Sequence, residues 1–96
     1  MSLTTSDGML YVIVHAPIRA SRTDIERCQS KVLGAFAIVE KVSAQEVQGV
    51  VWHKRTSARV NRFVAKRKIA DPEYPQQFAL AVRELSREDE SHWLFR

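Results

Sequence analysis

Residues 53–68 read HKRTSARVNRFVAKRK and hold seven of the chain's fifteen Lys and Arg residues, with no Asp or Glu among them. Lysine and arginine neutralise phosphates and release counterions, and arginine also pairs bidentately with guanine edges. An asparagine such as Asn61 offers adenine the equivalent pair. The segment also carries Val60, Phe63 and Val64, so it is more than a solvated run of charge. On a helical wheel Arg59, Arg62 and Lys66 fall within about 40° of Arg55, while the three apolar residues form a separate stripe. Mutual repulsion along such a cationic row costs a few tenths of a kcal/mol per i,i+4 pair, roughly, which a phosphate backbone would offset. On this reading Arg59, Arg62 and Asn61 meet base edges, and His53, Lys54, Arg55 and Lys66 meet phosphates.

Other chemistry finds no footing. His15, His53 and His92 are scattered without metal-ligand spacing, so no metal is expected. Asp7, Asp24 and Glu26 read as capping residues rather than a nuclease's carboxylates. No nucleophile elbow or P-loop is present, and the chain has only three glycines, so neither an enzyme nor a cofactor is expected.

The elements that would position the basic segment follow from periodicity. Leu10–His15 is rich in β-formers and ends before Pro17, which predicts a strand. Ser21 or Thr23 opens a helix over residues 23–41, in which Ile25, Cys28, Val32, Ala35, Phe36 and Val39 recur on one face. Ser43-Ala-Gln-Glu46 has the form of a capping box and predicts a short helix over 44–51. Thr56 or Ser57 then caps a third helix running to about Lys68. Asp71-Pro-Glu-Tyr-Pro75 reads as a loop. In the tail, Phe78, Leu80 and Val82 alternate as a strand whose return partner is Trp93–Phe95, the favoured reading. Phe78, Ala81, Val82 and Leu85 also fit helical spacing, and Ser86 with Asp89 offers the start of a short helix. The acidic run Glu88–Glu90 reads as a solvated turn.

A long helix, a short capped helix, a four-residue turn and a basic helix form the succession of a helix-turn-helix. The stretch VLGAFAIVEKVSAQEVQGVVWHKRTSARVNRFVAKRKI resembles the core of winged helix-turn-helix DNA-binding domains of bacterial and phage transcription regulators. The resemblance covers roughly residues 31–69. It implies that Ser57, Arg59, Asn61 and Arg62 sit where base or phosphate contacts are made, and that 78–82 and 92–95 form the wing.

The chain has 96 residues, a net charge of +4 and 45% hydrophobic residues. Its isoelectric point is about 9.6 and its mean hydropathy −0.27. These values fit one small globular domain that favours a polyanionic partner. The expected fold is α+β: a three-helix helix-turn-helix core, a β-hairpin wing and an extra N-terminal strand. It would occupy residues 10–96 behind a flexible segment, 1–9. A small core favours a homodimer. One cysteine precludes an internal disulfide and fits a reducing, cytoplasmic setting. The longest apolar run, MLYVIV, is too short for a membrane span or a signal-peptide core. The expected function is sequence-specific binding of double-stranded DNA in transcriptional regulation. The alternative is a protein–protein adaptor or inhibitor that sets the basic helix against an acidic partner.

Overall fold

The computed structural model describes residues 1–57 and 59–88. Four strands and two helices alternate as two ββα units. The first comprises β1 (Ser2–Ser6), β2 (Met9–Pro17) and α1 (Arg22–Glu40). The second comprises β3 (Val51–Ser57), β4 (Val60–Lys68) and α2 (Tyr74–Glu88). A single 3-10 turn, Ala44–Glu46, lies between them. All four strands form one antiparallel sheet in the order β1-β2-β4-β3. The central seam joins the units, with Met9 opposite Lys68 at one end and Pro17 opposite Val60 at the other.

Local chemistry explains each element. Asp7 and Gly8 both take positive φ, 53° and 74°, as a two-residue turn between strands of right-handed twist requires. In β2, Leu10, Val12, Val14 and Ala16 are buried and their neighbours are only partly covered, the alternation of a strand with one core face. The Ser21 hydroxyl accepts from the Asp24 amide at 3.1 Å and caps α1. Lys41, at φ +58°, closes that helix in the left-handed conformation. Before α2 the Asp71 carboxylate accepts from the Glu73 amide at 2.9 Å. Pro75 is tolerated because it sits in the first turn, where its missing donor has no helical acceptor.

Both helices pack on one face of the sheet. Cys28, Val32, Ala35 and Phe36 of α1 and Phe78, Ala81 and Val82 of α2 share a core with Leu10, Val12, Val14, Phe63 and Ala65. The rings of Phe36 and Phe78 lie 4.7 Å apart, tilted by 47°. Among the described residues, the opposite face carries no helix.

This architecture corrects the expected fold. The strand at 10–15 and the helix at 23–41 are present, but the three-helix core is not. Residues 44–51 make one 3-10 turn and a linker, because Gly49 takes a φ of +76° and Val51 already enters β3. Ser43 does reach Glu46, hydroxyl to carboxylate at 3.0 Å, yet it makes no side-chain bond to the backbone. The basic segment is a hairpin, not a recognition helix. Along β4, Asn61, Phe63 and Ala65 point to the core and Arg62, Val64 and Lys66 point away, a period of two that helical spacing had masked. Pairing with the nine residues of β2 along its whole length outweighs the local helical preference. The leader expected to be flexible supplies β1 at residues 2–6.

The wing is also absent where residues 78–82 would form it. They lie in α2, whose helical face buries Phe78, Ala81 and Val82 together and leaves Leu80 exposed. Ser86 does not start a helix there, since its hydroxyl donates to the Val82 carbonyl at 2.8 Å. Trp93–Phe95, His92 and the Asp89–Glu90 part of the acidic run lie outside the described residues.

Candidate nucleic-acid interface

The helix-free face of the sheet is built by every second residue of four strands. Register sets these residues in rows running across the sheet. At one end His15 stands beside Arg62, and Arg62 beside Arg55. The next row runs Ser2, Ile13, Val64, His53. The third is Thr4, Tyr11, Lys66, Val51, and beyond it Met9 pairs with Lys68. Lys66 Nζ lies 6.0 Å from the centroid of the Tyr11 ring, a cation over an aromatic face.

Among the described residues, no strand contains an Asp or Glu. The face is therefore cationic without internal neutralisation. Among the described residues, neither Arg55 nor Arg62 has a carboxylate partner. Val64, Ile13 and Tyr11 lie half-buried between the charges, giving an apolar floor with a basic rim. Concavities open on it, two of them along its middle and its arginine end. One is lined by His15, Arg55, Ser57, Val60 and Arg62, the other by Tyr11, Ile13, His53, Val64 and Lys66 among others.

The residues expected to contact a ligand divide between locations. His53, Arg55, Ser57, Arg62 and Lys66 come together on the open face. Arg59 lies at the β3–β4 turn, beyond the sheet's edge. Lys54 points to the helix side, with its ammonium 6.0 Å from the Phe63 ring centroid. Asn61 is 7% exposed, and its Oδ1 accepts from the Thr56 hydroxyl at 2.8 Å. It holds the hairpin together and has no free edge for a base. The row that the wheel assembled from positions 55, 59, 62 and 66 is thus reassembled by the hairpin from 55, 62 and 66.

Sequence reading missed Tyr11, His15 and Lys68 as members of the face. The signal was present: once LYVIVH is a strand with Leu10, Val12 and Val14 inward, Tyr11, Ile13 and His15 must point the other way.

Behind the face, Arg67 fixes β4 to both helices. Its guanidinium pairs with the Glu40 carboxylate at the end of α1, with Nε 3.0 Å from Oε2, and also donates to the Gln48 carbonyl. The Tyr74 hydroxyl at the start of α2 donates to Glu40 Oε2 at 2.5 Å. Burial pushes the Glu40 carboxyl up, but hydrogen bonds from Arg67 and Tyr74 and the Arg67 charge outweigh it and hold the group below its usual range. Burial, reinforced by the hydrogen bond to Glu40, drives the Tyr74 hydroxyl far above its ordinary value, so it stays a donor. Cys28 is buried, and desolvation pushes its thiol up, which suits a core residue rather than a nucleophile.

No helix among the described residues is long and apolar enough to cross a membrane. No group of three or more His, Cys, Asp or Glu among them is placed to hold a metal ion. No protein-family model, curated protein or solved structure matches the chain.

Proposed function

We propose that the chain binds single-stranded nucleic acid across the open face of its sheet. The observation that carries this reading is a face with no carboxylate among its described strand residues, on which Arg55, Arg62, Lys66 and Lys68 surround Tyr11, Ile13 and Val64. Cations in a row track a phosphate backbone, and an accessible ring such as Tyr11 supplies a stacking surface for a base.

Width favours a single strand over a duplex. Four strands spaced about 4.8 Å apart put the outer axes about 14 Å from each other before side chains are added. A B-DNA major groove about 12 Å wide admits a helix or a two-stranded ribbon, not this face. The helix that was to read a groove is a hairpin, so the expectation of transcriptional regulation loses the element it rested on. A lone buried thiol agrees with a cytoplasmic setting, which forms part of the proposal.

The homodimer belongs to the proposal too, through the β1 edge. That edge is uncharged, whereas β3 presents His53, Lys54 and Arg55 and would repel its own copy. Light scattering that shows a monomer at high concentration removes the dimer without touching the binding reading.

The test is a fluorescence-anisotropy titration with a labelled single strand of about ten nucleotides, a duplex of the same sequence and an acidic peptide. The single strand should bind tightest at about 50 mM salt, with a log–log salt slope of roughly −2 to −3 for three to four phosphate contacts. Equal or tighter duplex binding overturns the single-strand reading. Binding of the acidic peptide alone moves the face to the adaptor reading.

A further inference from the structure

Charge is not spread evenly along the open face. The row containing Tyr11 carries one cation, Lys66, and the row containing Met9 carries one, Lys68. Each suits one phosphodiester, a monoanion. The row at the other end holds two permanent cations side by side, Arg62 and Arg55, with His15 flanking Arg62 on the next strand. Neighbours opposite one another on antiparallel strands have Cβ atoms about 5 Å apart, so the two guanidiniums reach a common point above the sheet. A diester placed there would leave one positive charge unmatched. A terminal phosphate carries about −1.5 to −2 at neutral pH and presents three acceptor oxygens, which matches both arginines.

We infer that the row His15–Arg62–Arg55 is a phosphomonoester site that receives the phosphorylated end of the bound strand. The inference rests on the single-strand reading for the source of the phosphate and on the paired arginines for its chemistry. The arginine forks supply paired donors to the phosphate oxygens, a geometry a lone lysine cannot offer. His15 adds a ring nitrogen from β2. Val60 and Ser57 close the end of the concavity, where the Ser57 hydroxyl donates to the Val60 carbonyl at 3.4 Å across the turn. Thr56, which also lines it, is engaged from behind by Asn61. Among the described residues, nothing acidic lines this concavity to compete for the arginines.

The experiment compares one single-stranded sequence bearing a 5′-phosphate, a 3′-phosphate or hydroxyls at both ends, with orthophosphate and a nucleoside monophosphate as competitors. One phosphorylated end should bind about tenfold tighter than the hydroxyl form, and which end it is assigns the strand's direction on the sheet. Arg55→Gln and Arg62→Gln should abolish that preference, weakening the phosphorylated strand more than the hydroxyl form, whereas Lys68→Gln should weaken all three strands alike and keep it. Arg55→Lys, which keeps the charge and loses the fork, should retain only part of the preference. Equal affinity for all three strands overturns the phosphomonoester site and leaves the strand reading in place. Binding of the monophosphate, lost in Arg62→Gln, with no binding of any strand, upholds the site and overturns the strand reading. No binding of any probe overturns both.

Discussion

Arg55 and Arg62 stand directly opposite one another across the β3–β4 pair, two like charges in register with no carboxylate on their face among the described residues. Like charges so placed destabilise a sheet by about 0.2–1 kcal/mol. On the proposed reading, an anion bound between them offsets that repulsion. Arg62→Gln should therefore raise the melting temperature of the free protein slightly. It should also cancel the extra stabilisation that phosphate gives the wild type over chloride at equal ionic strength. Thermal melts in the two salts check this, and a wild type indifferent to the choice of anion contradicts it.

Tyr11 is an aromatic ring on the open face and stands beside Lys66. Tyr11→Leu should weaken single-strand binding by about 1–3 kcal/mol while leaving the salt slope unchanged, because stacking is lost and no charge is. Tyr11→Phe should bind almost as the wild type does. Equal losses in both variants would point to the hydroxyl rather than the ring.

Lys66 and Lys54 are cations of the same segment on opposite sides of the sheet. Lys66→Ala should weaken binding to every single strand alike and make the log–log salt slope shallower by about 0.7. Lys54→Ala should leave that slope as it is. If the two variants behave alike, charge in the hairpin acts without regard to face.

Glu40 ties α1 to β4 and α2 through Arg67 and Tyr74. Its carboxyl is held below the usual range in the folded protein, so it ionises more readily folded than unfolded. The stability it contributes is complete above its unfolded value, about 4.3, and is lost as pH falls through the lower folded value. Glu40→Gln should cost about 1–3 kcal/mol at neutral pH. Its urea midpoint should then fall less than the wild type's on going from pH 6 to about pH 3. A wild type and variant that lose stability in parallel would show that Glu40 carries no such linkage.

What could be read from the chain depended on which period dominated. The 23–41 helix was legible because Cys28, Val32, Ala35 and Phe36 repeat without competition and Ser21 caps them. The 10–15 strand was legible from its β-branched run. The segment 51–68 was not, because Arg55, Arg59, Arg62 and Lys66 fit a helical stripe while Asn61, Phe63 and Ala65 fit a strand face. Apolar alternation prevails over charge spacing there, because the core is assembled from the apolar residues. The pair Asp7-Gly8 between LTTS and MLYVIV is a hairpin signal in its own right, and it passed as part of a loose leader. In the tail, Phe78, Leu80 and Val82 fit a strand while Phe78, Ala81, Val82 and Leu85 fit a helix, and packing against Phe36 decides for the helix. Of the interface, the cationic residues were visible. Their arrangement was not, since rows across a sheet join residues from four separate strands.

The seam between β2 and β4 joins partners from opposite halves of the chain. Each hairpin closes on its own within microseconds, but neither can cover its apolar side until the other arrives. Assembly therefore waits on a non-local encounter between the two halves, and the linker around Gly49 sets how often they meet. Cutting the backbone there should yield two fragments that remain unfolded apart and recover the sheet only when mixed.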